Sequence, residues 1–130
     1  MVAIPDKAQD LLSRPIIAII TTMMPDGQPQ STAVWVDYDG QYFRVNTARG
    51  RQKDRNMTHN AKVTLFLLDP ANPFHWMEIR GHVAEVTEEG ADAHIDLLSK
   101  KYTGNDIYGG HNPAQTRVIY KIEATKINAS

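Results

Sequence analysis

With 130 residues, 14 Lys and Arg against 15 Asp and Glu, and a formal net charge of −1, the chain is sized for one domain over residues 1–130 with a core of its own. The near-neutral balance counts against a surface devoted to nucleic acid, and the absence of cysteine excludes disulfides, zinc–thiolate sites and thiol nucleophiles. No apolar run approaches the roughly 18 residues of a membrane span, and the charged and polar residues among Met1 to Gln9 are unlike a secretion signal, so a cytoplasmic protein without a membrane partner is expected.

In chain order, Pro5 with Ala8, Leu11 and Leu12 at helical spacing predicts a short opening helix that stops near Ser13, ahead of Pro15. Ile16 to Met24 is β-branched and apolar, Pro25-Asp26-Gly27 is a turn, and Gln30 to Tyr38 is a second extended run. Asp39-Gly40 turns the chain into a third, Gln41 to Thr47. Between Gly50 and Asn60 a short helix is expected with no convincing apolar face, held by its ends and by whatever its charges bind. Ala61 to Asp69 is a strand with apolar residues on both faces, and Pro70 and Pro73 bracket a loop. Trp76 to Val86 alternates at length, with Gly81 marking a bend, bulge or close backbone approach. Thr87 is the expected N-cap of a helix whose Ala91, His94, Ile95, Leu98 and Tyr102 share one face. A glycine-rich loop from Thr103 to Ala114 leads to a last strand, Arg117 to Ile127. Six strands with short helices and no βαβ unit predict a mainly β fold, a small antiparallel barrel.

Little in this chain offers chemistry of its own. Neither a phosphate-loop, a dinucleotide fingerprint nor a nucleophile elbow occurs. His59, His75, His82, His94 and His111 are scattered without ligand spacing, so no metal site is expected. Glu78 and Arg80 share a strand face and suit a structural ion pair. No catalytic residue stands out, and if the protein is an enzyme a cofactor carries the reaction.

One stretch does ask for a ligand. Arg49, Arg51, Lys53 and Arg55 fall within seven residues, beside Gly50 and the start of a helix, where free backbone N–H groups favour a phosphate. The bland alternative is a solvated turn of helix partly neutralised by Asp54.

Five segments in order resemble the pyridoxamine 5′-phosphate oxidase-like split β-barrels, and among them the deazaflavin (coenzyme F420)-dependent reductases. These are Asp26-Gly27-Gln28-Pro29-Gln30, Thr47 through Asn56 with Gly50 and Lys53, Glu78-Ile79-Arg80-Gly81-His82-Val83, Leu98 to Gly104, and Ile122 to Ile127. Met57 and Asn60 depart from the family's leucine and proline. The resemblance implies a six-stranded split barrel that forms a homodimer with two cofactor grooves. It implies that Arg51, Lys53, Arg55 and Asn56 hold the phosphate and the anionic tail of F420, that Gln30, Thr32 and Thr47 line the ring's approach, and that Trp76 covers the site from the other subunit. Trp35 is read as core packing, and Trp76 suits either role. The implied activity is an F420-dependent reductase that transfers a hydride between the coenzyme and a conjugated small-molecule substrate, with the proton coming from solvent, Tyr108 or His111. Two alternatives stay open: an FMN-dependent oxidoreductase or flavin-binding protein on the same fold, and a non-catalytic barrel binding a small anion or single-stranded nucleic acid.

Overall fold

The computed structural model describes residues 2–130; Met1, the first residue of the segment weighed against a secretion signal, lies outside them. A 3₁₀ turn at Asp6–Ala8 runs into α1 (Gln9–Ser13). Strands β1 (Ala18–Met23), β2 (Pro29–Val34), β3 (Val36–Tyr38) and β4 (Phe43–Ala48) precede α2 (Gln52–His59). Then follow β5 (Lys62–Leu68), β6 (Trp76–Thr87), α3 (Ala91–Thr103) and β7 (Arg117–Ala129).

All seven strands belong to one sheet in the order β2-β1-β5-β6-β7-β4-β3, and every pairing is antiparallel. The two edge strands, β2 and β3, are neighbours in the chain with only Trp35 between them. Such an order is possible only if the sheet curls until its edges meet, which makes a barrel with one unpaired seam. This is the split barrel expected, with seven strands in place of six. The run Gln30 to Tyr38, expected as one strand, breaks at Trp35, where the chain leaves one edge and joins the other. Alternation along a sequence reports which face a residue takes, not which neighbour its strand pairs with, so the crossing leaves no trace in it.

The barrel's inward face is built from Ile20, Val45, Leu65, Leu67, Met77, Ile79, Val118 and Ile122, with Phe43 and Tyr120 as its largest members. Each such burial is worth about 1.5–3 kcal/mol. Leu11 of α1 is fully buried against this core. A tie outside it fixes α1: Arg14 Nη1 contacts Asp10 at 3.1 Å and Asp69 at 3.0 Å, and His75 Nε2 meets Asp10 at 2.9 Å. Asp10, Asp69 and His75 thus lie within metal-ligating reach of one another, but the arginine already supplies their counter-charge.

Gly81 stands at a register shift between β6 and β7, and a Cβ there would collide with the carbonyl oxygen of Glu123. That is the close backbone approach the sequence suggests. Glu78 and Arg80 do pair, at 3.2 Å. Two expectations are corrected. Thr87 ends β6 instead of capping α3; the N-cap is Gly90, in the left-handed region at φ 78° and without any side-chain cap. The turn from Glu88 to Ala91 needs that backbone geometry, which glycine adopts without strain. Helix α2 also has an inward side, with Asp54, Asn56 and Met57 buried; two of those three are polar, which hides the face from any hydrophobic count. Among the described residues, no helix is long and apolar enough to cross a membrane.

Candidate functional site: a cationic cleft at the barrel seam

Where the barrel fails to close, a cleft of about 300 Å³ opens beside Trp35. Its lining is apolar at Ile17, Ala33 and Val34 and at Ile95 and Leu98 of α3, and polar or cationic at Asn46, Arg51, Lys53 and Arg117. Tyr102 fastens the seam above it. Its hydroxyl accepts from the Val36 N–H at 3.2 Å and donates to the Ile16 carbonyl at 2.7 Å, so it bridges the chain before β1 to β3. Its ring stacks on Trp35 with centroids 5.4 Å apart.

Sequence places Arg51 and Lys53 here through a simple device. Gly50 takes φ 92°, a left-handed turn that ends the β4 segment and starts α2 with Arg51 as N-cap. No side chain caps this helix, so its first-turn N–H groups, beside Arg51 and Lys53, lack intrahelical partners. Asp54 holds the turn from within. It accepts from the Gly50 N–H at 2.9 Å, from Arg49 Nη1 at 3.0 Å and from the Tyr120 hydroxyl at 2.6 Å. Burial works to raise its carboxyl, but hydrogen bonds from Tyr120, Gly50 and Arg49 outweigh that and hold it below the usual range.

The cleft's cations lack acidic partners. Among the described residues, Arg51, Lys53 and Arg117 form no ion pair, whereas Arg49 is engaged by Asp54 and Glu88. Burial first, then the like charges of Arg51 and Arg117, push the Lys53 ammonium below its ordinary value. Burial likewise lowers Arg117, with Arg51 adding to it against Tyr108 and Asp92. Arg117 is only 7% exposed. Its Nε donates to Asn46 Oδ1 at 2.8 Å, while its Nη1 is buried without a hydrogen-bond partner. A buried guanidinium N–H left unpaired is costly.

The other expected residues fall elsewhere. Arg55 is exposed and turns back onto Gln52 Oε1 at 2.6 Å and the Gly50 carbonyl. Asn56 is buried and gathers Thr22 at 3.1 Å, Gln30 at 3.3 Å and Gln52 at 2.8 Å, so Asn56 and Gln30 meet each other. The hydroxyls of Thr32 and Thr47 are both buried without a partner. Trp76 stacks on Phe66 at 5.7 Å on the outer face of the sheet, away from this chain's own cleft. Trp35, expected in the core, is half-buried and forms the cleft wall.

Arg117 and Asn46 are site residues that the sequence does not advertise, and they are joined there by Tyr108, one of the two side chains named as a proton source. Arg117 opens an ordinary alternating strand, and Asn46 sits inside another; only the antiparallel pairing of β4 with β7 brings them together. Tyr108 comes from the glycine-rich loop after α3. Asp96 anchors that loop by accepting from the Tyr108 N–H at 2.8 Å and meeting His111 Nε2 at 2.7 Å. The Tyr108 ring then lies edge-on to Trp35 and 5.6 Å from the Arg117 guanidinium.

Residues 4–130 match the pyridoxamine 5′-phosphate oxidase family. A solved structure described as an F420 reductase is 32% identical, with a TM-score of 0.85, over 96% of this chain and 98% of its own. A conserved hypothetical protein from Mycobacterium tuberculosis is 22% identical with a TM-score of 0.76, over 99% of this chain and 85% of its own. General Stress Protein 26 from Bacillus anthracis is 16% identical with a TM-score of 0.69, over 95% and 91%. The last two share the fold. No curated protein matches the chain.

Proposed function

The chain belongs to the pyridoxamine 5′-phosphate oxidase family, and from that premise we propose that it is an oxidoreductase that seats the deazaflavin coenzyme F420 in the seam cleft and acts on a conjugated small molecule. The observation that carries this is the set of three cations, Arg51, Lys53 and Arg117, gathered at a helix start with no acidic partner among the described residues. A phosphodiester followed by several carboxylates suits that set. The 32% identity to a structure described as an F420 reductase favours the same coenzyme.

In this proposal Arg51, Lys53 and the first-turn N–H groups of α2 hold the phosphate. Arg117, which lines the same cleft, takes a second anionic group. The faces of Trp35 and Tyr108 wall the cleft against water. When bound, the deazaflavin supplies a hydride for an electrophilic carbon of the acceptor. Of the two side chains considered as proton donors, Tyr108 is the one on the cleft wall, while His111 is turned to Asp96. The side chains therefore position the reactants and deliver a proton, and orientation supplies most of the acceleration.

A homodimer is part of the proposal. Ile17, Ile19 and Leu68 are exposed at 44%, 39% and 42% and share the outer face with Phe66 and Trp76 through the pairings Ile19–Phe66 and Leu68–Trp76. Such a contiguous apolar face favours a partner. Because Ile17 also lines the cleft, a second copy docked there would bring its own Trp76 towards it.

Titration of the purified protein with F420 and separately with FMN, followed by coenzyme absorbance and tryptophan fluorescence, tests the assignment. Preferential saturation by F420, and oxidation of the reduced coenzyme by quinones or other conjugated acceptors above background, are expected. Tighter binding of FMN would move the protein to the flavin alternative.

A further inference from the structure

Behind Arg117 runs a line of hydrogen bonds that the coenzyme proposal does not use. Asn46 Nδ2 donates to the Ala91 carbonyl at 2.8 Å. A carbonyl only accepts, so this bond fixes which way round the amide stands. Two consequences follow from it. Asn46 Oδ1 must face Arg117, where it accepts from Nε at 2.8 Å. The second Nδ2 hydrogen must point at His94 Nδ1, 3.1 Å away, which makes Nδ1 an acceptor and leaves the ring proton on Nε2. That proton is directed at Asp37, whose oxygens lie 3.2 and 3.3 Å from Nε2. Asp37 is itself clamped by Arg44, with Nε at 2.9 Å and Nη2 at 2.8 Å.

His94 is 2% exposed and Asn46 8%, so neither can exchange these partners for water. The line runs from β3 through α3 and β4 to β7 and ends on the one guanidinium whose Nη1 is buried and unpartnered among the described residues. We infer that His94 is a positioning residue for the anion seat: through Asn46 it sets the rotation of the Arg117 guanidinium on the cleft wall. Without the imidazole acceptor, Asn46 has a hydrogen to place elsewhere, and the amide that holds Arg117 Nε loses its fixed orientation. The bonds from Arg44 and from Arg117 at the two ends of this line are charge-assisted, and such bonds hold geometry best. The inference rests on the proposed role of Arg117 in holding an anion, and not on which coenzyme carries it.

The test is made on the full chain with inorganic phosphate as the probe. Nitrogen-15 NMR of the wild-type imidazole is expected to show His94 protonated at Nε2 with Nδ1 bare; a proton on Nδ1 overturns the inference even if no variant folds. Phosphate binding, followed by the amide shifts of Gln52 and Lys53, is then measured for His94→Phe, Arg117→Met and the double variant. His94→Phe is expected to weaken phosphate by about tenfold, and to add nothing once Arg117 is gone, the signature of two residues acting as one unit. Equal losses in both backgrounds would make His94 a general structural residue and contradict the positioning role. Unchanged phosphate binding in Arg117→Met would instead overturn the anion role of Arg117 in the proposed function, and the positioning role with it.

Discussion

Lys53 stands where burial and two like charges act in the same direction, and this gives the cleft a pH signature. Its ammonium is held below the ordinary lysine value by burial, then by Arg51 and Arg117. A bound anion offsets those charges and raises it again, so the complex holds the proton to higher pH than the free protein does. Anion affinity is therefore full below the free-protein value and falls as pH rises through it; binding isotherms taken from neutral to alkaline pH check this. Salt should weaken binding in the same experiment. Arg51 and Lys53 were legible in the sequence because they stand in a dense basic run. Arg55 belongs to that run by composition only: at 3.6 residues per turn, two positions along a helix is about 200°, so Arg55 faces away from Lys53. Arg117 had no such signal, since a single arginine at the start of an alternating strand looks like any solvated end.

Two elements carry the cleft, and each has one residue that fixes it. Tyr102 ties the chain before β1 to β3, so Tyr102→Phe would strand the Val36 N–H and the Ile16 carbonyl, at a cost of about 1–3 kcal/mol measured by denaturant unfolding. The loop between α3 and β7 depends on Asp96, whose carboxyl is lowered by the hydrogen bond from the Tyr108 N–H and next by that from His111. A carboxyl lowered in the folded state stabilises above its unfolded value and stops doing so as pH falls through its folded one. Corrected for the intrinsic exchange rate, which itself slows on acidification, the protection of residues 104–116 should accordingly fall at low pH before that of the sheet amides does, and Asp96→Ala should show the reduced protection already at neutral pH. Gly81→Ala should destabilise by about 1–3 kcal/mol, because β7 would have to move away from the added methyl. Gly81 was legible because a residue with no side chain to pack weakens a long strand, and is kept there where two backbones must pass close together. The cap of α3 was not: threonine is so common at helix starts that Thr87 masked Gly90, whose role comes from backbone freedom and not from a side chain.

At the scale of the molecule, the barrel was written in the alternating runs and the turn residues between them, while its opening was not. Seam, cleft and aromatic wall all depend on the crossing at Trp35, and nothing in Gln30 to Tyr38 distinguishes a strand that changes partners from one that continues. The cleft follows from that crossing, since it leaves a gap in an otherwise closed sheet and β4, α2 and β7 bring their polar and cationic side chains to it. The most direct test is the F420 affinity of three single variants with matched thermal midpoints. Lys53→Ala and Arg117→Met should each lose about ten- to a hundredfold, the worth of one charge-assisted hydrogen bond or two, while Arg55→Ala stays within about threefold, as an exposed charge does. Equal affinity for all three and the wild type would show that the cleft is not the coenzyme's seat.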